Sequence, residues 1–144
     1  MAKQAPAIKT ILIVDDEMDM RIFMRTLFET SGYRAVLARD GKEGLQKAKK
    51  IGPDLIVLDI MMPAEGGVLM YRNLKTDPAL ARIPVIMLSA VGEKSFGHYL
   101  KMLNLQSLEP IPEPAHYLEK PPDSTELLKI AESLLQPAKG PARP

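Results

Sequence analysis

Four apolar runs each end in a residue with chemistry to offer. Thr10–Val14 leads into Asp15-Asp16, Leu55–Leu58 into Asp59, Pro84–Leu88 into Ser89, and Tyr117–Glu119 into Lys120-Pro121. Short apolar runs bounded by turn residues read as strands buried on both faces. In an open α/β sheet the carboxyl ends of such strands share one edge, and ligands bind there. The pattern therefore brings three carboxylates, a hydroxyl and an ammonium to one small site. Carboxylates that crowded repel one another unless a divalent cation and the lysine offset their charge. The constellation asks for a metal and an anionic group, for which a phosphoryl is the best match.

Helical patterns separate the runs. Met20, Phe23, Met24, Leu27 and Phe28 fall at offsets that make one helix stripe, which assigns the methionines of this first helix to the core and not to a recognition face. Gly32 ends that helix, and Arg34–Ala38 is a short strand. Asp40-Gly41 turns into a second helix carrying Leu45, Ala48 and Ile51, which Gly52-Pro53 breaks. A helix over Val68–Lys75, another within Lys94–Asn104 and a last one with Leu127, Ile130, Ala131, Leu134 and Leu135 follow, the last opened by Asp123 and Glu126 as a capping box. Five alternations of strand and helix specify a (βα)5 doubly wound, five-stranded parallel sheet of flavodoxin-like type, with helices on both faces. Residues 1–9 and 137–144 read as a disordered lead-in and a flexible tail around one domain over 10–136.

Composition narrows the function. A chain of 144 residues with 46% hydrophobic and 26% charged residues has the make-up of one globular domain. A net charge of +1 gives no broad basic surface for nucleic acid or membrane. With no cysteine there is neither a disulfide nor a thiolate metal site, which suits a cytoplasmic protein. No apolar run approaches the ~18 residues of a spanning helix. His98 and His116 lack ligand-spaced partners and read as surface or cleft residues, not zinc ligands.

Several spaced motifs together resemble the receiver domain of two-component response regulators, over roughly Thr10 to Leu135. They are Ile11-Leu12-Ile13-Val14-Asp15-Asp16-Glu17, Asp59 with Met62-Pro63 and Gly67 downstream, Ile83 to Ala90, and Tyr117-Leu118-Glu119-Lys120-Pro121. The resemblance implies that Asp59 is the phosphoacceptor, a carboxylate nucleophile toward phosphohistidine. It implies a Mg²⁺ held by Asp16 directly, Asp15 through water, Asp59 and the backbone carbonyl of Met61. Lys120 would pair with Asp59 and then with the phosphoryl oxygens, and Ser89 would donate its hydroxyl to one of them, with Ala90 leaving room. Tyr117 would be the ring whose rotamer reports the phosphorylated state, and Lys120–Pro121 a cis bond. Met61 and Val91 would line the path of the attacking water, and being apolar they imply slow loss of the phosphoryl. The implied partners are a histidine kinase or histidine phosphotransfer protein and a downstream protein target, with the chain a monomer or a phosphorylation-linked dimer and no direct nucleic-acid binding. The chain is thus expected to be a switch and not an enzyme.

Alone, each residue has a plainer reading. Consecutive acids favour a helix N-terminus, Ser89 suits a turn, Lys120 a solvated surface, and Tyr117 a half-buried strand. A degenerate receiver acting as a constitutive binding module is one competing function, against which the intact acid, hydroxyl and lysine set stands. A phosphohydrolase of the haloacid dehalogenase type is another, but it wants a second acid where Met61 stands. The chain departs from the family pattern in one stretch: Leu105–Pro114 is extra length before the fifth strand, within a proline-rich segment over 105–115, and Pro114-Ala115 stands where a Gly-Ala pair is usual. Pro110, Pro112 and Pro114 favour an extended path. Leu105, Leu108 and Ile111 would then be partly exposed anchors of an output surface, or would pack down onto the domain, and the plainer reading of the stretch is a tolerated surface insertion.

Overall fold

The five expected strands all form, and they lie parallel in one sheet in the order β2-β1-β3-β4-β5. In chain order the elements are β1 (Thr10–Val14), α1 (Met18–Glu29), β2 (Arg34–Ala38), α2 (Gly41–Ile51), β3 (Leu55–Asp59), α3 (Gly67–Thr76), β4 (Val85–Ser89), β5 (His116–Glu119) and α4 (Ser124–Leu135). The computed structural model describes residues 7–60, 66–90, 101 and 111–136. The helix expected within Lys94–Asn104 lies outside them apart from Lys101, as do His98, Leu105 and Leu108. Among the described residues no helix is long and apolar enough to cross a membrane.

The strands show why the sequence reads as continuously apolar. Successive side chains point to opposite faces, and both faces are covered. Leu12, Val14, Ile56, Leu58, Val85 and Met87 pack in one core with Ala48 of α2 and Met70, Tyr71 and Leu74 of α3. Ile11, Ile13, Leu55, Val57, Ile86 and Leu88 pack in the other with Met24 and Phe28 of α1 and Leu127, Ala131 and Leu135 of α4. Polar pairs fix the ladder's amino edge, where Asp54 Oδ2 accepts from Thr10 N at 2.8 Å and Asp54 N donates to Thr10 O at 2.8 Å.

Helix ends follow local chemistry. Asp40 caps α2, its carboxylate accepting from Glu43 N at 2.8 Å, while Glu43 Oε1 accepts from Arg39 N at 2.8 Å. Gly52 ends α2 with φ 56°, and Gly32 follows α1 with φ 96°; both are left-handed conformations that favour glycine. Asp123 caps α4 through Thr125 N at 3.2 Å.

Three details refine the sequence reading. Phe23 is 37% exposed, so the apolar stripe of α1 is narrower than its spacing suggests, while Met24 and Met20 pack on the core and Met18, outside the stripe, is 61% exposed. On α2 the buried residues are Gly41, Gly44 and Ala48, while Ile51 is 39% exposed. A Cβ on Gly44 would sit 2.8 Å from Met70 Sδ and 2.9 Å from Val14 Cγ2, so a missing side chain lets α2 approach β1 and α3. Of the two alternatives open for Ile111, the structure shows the packed one: it is 3% exposed in the α3-side core. Beside it Tyr71 Oη donates to Pro112 O at 2.6 Å, and Ala115 N donates to Val85 O at 3.0 Å.

Candidate functional site

Strand register sets the site. Val14 pairs with Leu58, so the next residues, Asp15 and Asp59, stand level at the carboxyl edge of β1 and β3. Asp59 pairs with Leu88 and Ser89 with Glu119, which brings Ser89 one step further along and Lys120 to the far corner. Asp59 and Ser89 are the last residues of their strands and not the first beyond them. The ladder continues past each strand end, with Asp15 N donating to Ala38 O, Ile60 N to Leu88 O and Lys120 N to Ser89 O. Functional groups at this edge thus hang from a backbone already fixed by hydrogen bonds.

Three polar side chains here are buried: Asp15, Asp59 and Ser89. Asp16 is exposed beside them. One carboxylate oxygen from each of Asp15, Asp16 and Asp59 lies within 4.8 Å of the others. An all-oxygen, all-carboxylate set suits a hard divalent cation such as Mg²⁺ in place of a soft metal. Met61, the fourth expected ligand, lies outside the described residues, as does Val91.

Lys120 crosses the site from the opposite corner. Its Nζ donates to Asp15 Oδ2 at 3.0 Å, Glu17 Oε1 at 2.8 Å and Asp59 Oδ2 at 3.1 Å. Burial works to lower the ammonium's pKa, but hydrogen bonds to Glu17 and Asp15 and the charges of Asp15 and Asp59 outweigh it and hold it above the ordinary lysine value. Burial likewise pushes the Asp15 carboxyl above its ordinary value, with the Asp59 charge adding to the push. Hydrogen bonds from Glu17 N and Lys120 offset only part of this. Burial, more than neighbouring charge, is what disfavours ionised Asp15 here. A cleft of about 510 Å³ opens over the site, lined by Asp16, Glu17, Met20, Asp59, Ala90, Lys120 and Pro121.

Backbone approach matters as much as charge. A Cβ on Gly67, the first residue of α3, would collide with Asp59 O and stand 2.6 Å from Ile60 Cα. Only glycine lets α3 start that close to the strand end. Lys120–Pro121 is cis, as the resemblance implies. Tyr117 lies partly buried against the α3-side core, and His116 is exposed.

Two neighbours escaped the sequence reading. Glu17 is the third carboxylate on Lys120, and Arg21 Nη1 donates to Asp15 O at 2.8 Å. A signal existed for both: Glu17 directly follows the acidic pair, and Arg21 lies one helical turn beyond it, where side chains lean back toward the helix start.

Comparison with known proteins agrees with this geometry. The family model of the response regulator receiver domain matches residues 11–132. The polar-differentiation response regulator DivK of Brucella anthropi is 41% identical over 87 residues, which cover 60% of this chain and 70% of that protein. Chemotaxis protein CheY4 of Vibrio cholerae has a similar structure, with a TM-score of 0.76 at 26% identity over 90% of this chain and 100% of the other. The signal receiver domain of a signal transduction histidine kinase from Syntrophus aciditrophicus gives 0.75 at 28% identity, over 94% and 96% of the two chains. Matched from its first strand into its last helix, the chain belongs to the response regulator receiver domain family.

Proposed function

We propose that this receiver is a phosphorylation-activated switch that takes a phosphoryl group on Asp59 from phosphohistidine of a histidine kinase or histidine phosphotransfer protein. The observation that carries the reading is the buried Asp59 carboxylate with Lys120 Nζ at 3.1 Å, level with a second buried carboxylate, Asp15. An Asp59 oxygen attacks phosphorus; the new O–P bond forms as the N–P bond breaks, and the donor imidazole leaves with the electron pair. Lys120 then meets the phosphoryl oxygens with charge-assisted hydrogen bonds. Ser89, in the last position of β4, donates its hydroxyl to one of them, and the small side chain of Ala90 leaves space.

Asp15, Asp16 and Asp59 are the side chains that would hold Mg²⁺, with the Met61 carbonyl as a further ligand. When bound, the ion would offset the carboxylate charges and polarise the phosphoryl group. Tyr117 is the ring that changes rotamer with phosphorylation. Apolar Met61 and Val91 give the attacking water no hydrogen bond, so the phosphoryl is lost slowly. Output is a protein contact, with no catalysis beyond the protein's own phosphorylation and dephosphorylation, in a cytoplasmic domain that we take to span residues 10–136.

Labelling by acetyl phosphate or a phosphorylated kinase, with and without Mg²⁺, tests the reading. Label on the wild type that needs Mg²⁺ and vanishes in a natively folded Asp59→Asn variant is the expected result. Label retained in that variant would overturn it.

A further inference from the structure

An ammonium has three N–H donors and no acceptor. In Lys120 all three are committed, to Asp15 Oδ2 at 3.0 Å, Glu17 Oε1 at 2.8 Å and Asp59 Oδ2 at 3.1 Å. A phosphoryl oxygen can therefore be bound only if one of these bonds is given up. The three are not equivalent. Asp15 and Asp59 have side chains 0% and 2% exposed, and Asp15 is further fixed by Glu17 N, which donates to its Oδ1 at 2.8 Å. A buried carboxylate stripped of its partner is costly. The Glu17 side chain is 62% exposed, so water replaces the lysine at once, and exposed pairs of this kind contribute little.

The start of α1 adds a second observation. Glu17 occupies the N-cap position, where Ser, Thr, Asp or Asn would bind a free backbone N–H, yet its side chain makes no capping bond. It reaches across the cleft to Lys120 instead.

We propose that Glu17 is a positioning residue that holds the third N–H of Lys120 until phosphorylation, and that this bond is the one exchanged for a phosphoryl oxygen. The inference rests on the acceptor reading of Asp59. Glu17 thereby acts as a competitor: it keeps the lysine aimed into the site but lowers the charge offered to an incoming anionic donor.

The test is the rate of phosphorylation by acetyl phosphate, in which Asp59 takes the phosphoryl and acetate leaves with the P–O bonding electrons. It is run on the full chain at saturating Mg²⁺, so that any change in metal affinity drops out. Glu17→Gln removes the charge, and Glu17→Asp keeps it on a side chain one methylene too short to reach Lys120. Both variants should be phosphorylated about two- to fivefold faster at low salt, with the gain shrinking as salt screens the exposed pair. A role confined to the fold of α1 would not give a salt-dependent gain in both. Rates equal to wild type in both variants would overturn the inference alone. A gain in Glu17→Gln only would also overturn it, by assigning the effect to charge and not to the bond. Absence of Asp59 labelling in the wild type would overturn the acceptor reading, and this inference with it.

Discussion

Asp15 and Asp59 are buried acids at a sheet edge, and a buried carboxylate needs a partner. Lys120 partners both, but it is one charge among Asp15, Asp16, Glu17 and Asp59. One carboxylate oxygen from each of Asp15, Asp16 and Asp59 lies within 4.8 Å of the others, and like charges that close repel. Relief of that repulsion should stabilise the fold while harming the site. Asp16→Asn should raise the apo melting temperature by about 2–5 °C, because the exposed position limits the gain. The same change should weaken Mg²⁺ binding at least about tenfold, since it replaces a charged carboxylate oxygen by a neutral amide oxygen. Melting curves across a Mg²⁺ titration check both halves. A less stable apo Asp16→Asn protein would assign this acid to helix capping.

At the scale of elements, α3 ties the carboxyl end of β3 to the segment before β5. Its first residue, Gly67, abuts Asp59 and Ile60, and one turn later Tyr71 binds Pro112. Gly67→Ala forces either the helix or the strand end to move. It should cost about 1–3 kcal/mol by overpacking and slow phosphorylation by about a hundredfold for a shift near 1 Å, read from denaturant melts and labelling rates. Tyr71→Phe leaves Pro112 O without its donor and should cost about 1–3 kcal/mol. Its pH dependence is specific. Burial first, and the Glu113 charge second, hold the folded Tyr71 phenol above its ordinary value of 10.0. The unfolded chain then ionises first, so this contribution is fully present below pH 10 and is lost as pH rises through the folded value. Lys75, whose ammonium burial pushes below its ordinary value, works in the opposite sense in both proteins. The alkaline loss of stability should therefore be smaller in Tyr71→Phe, and an identical loss in both would contradict the assignment. These ties were hard to read from sequence for a physical reason. Apolar spacing marks where side chains are buried, but a helix face made of Gly41, Gly44 and Ala48 is buried because side chains are absent. Ile111 likewise sits among three prolines with no periodicity to assign it to a core.

Across the whole molecule, the sheet was legible because β1, β3 and β4 are apolar on both faces and helical spacing falls between strands. Those facts alone give parallel strands with layers on either side. The site was legible because parallel strands put their chemistry at one edge, so Asp15, Asp59, Ser89 and Lys120 could be gathered without knowing a single distance. What spacing could not give was the allocation of donors within the cluster. Glu17 and Arg21 stand at positions beside the acidic pair and one turn beyond it, but which atoms they bind is set by side-chain reach. On the proposed function, this edge directs one phosphoryl group onto one oxygen-bearing side chain. The most direct measurement treats the phosphorylated protein with borohydride, which reduces an acyl phosphate to an alcohol, and maps the product by peptide mass spectrometry. Conversion of Asp59 to homoserine, dependent on Mg²⁺, is the predicted result. Conversion at Asp15 or Asp16, or phosphate found on Ser89 with Asp59 unchanged, would contradict it.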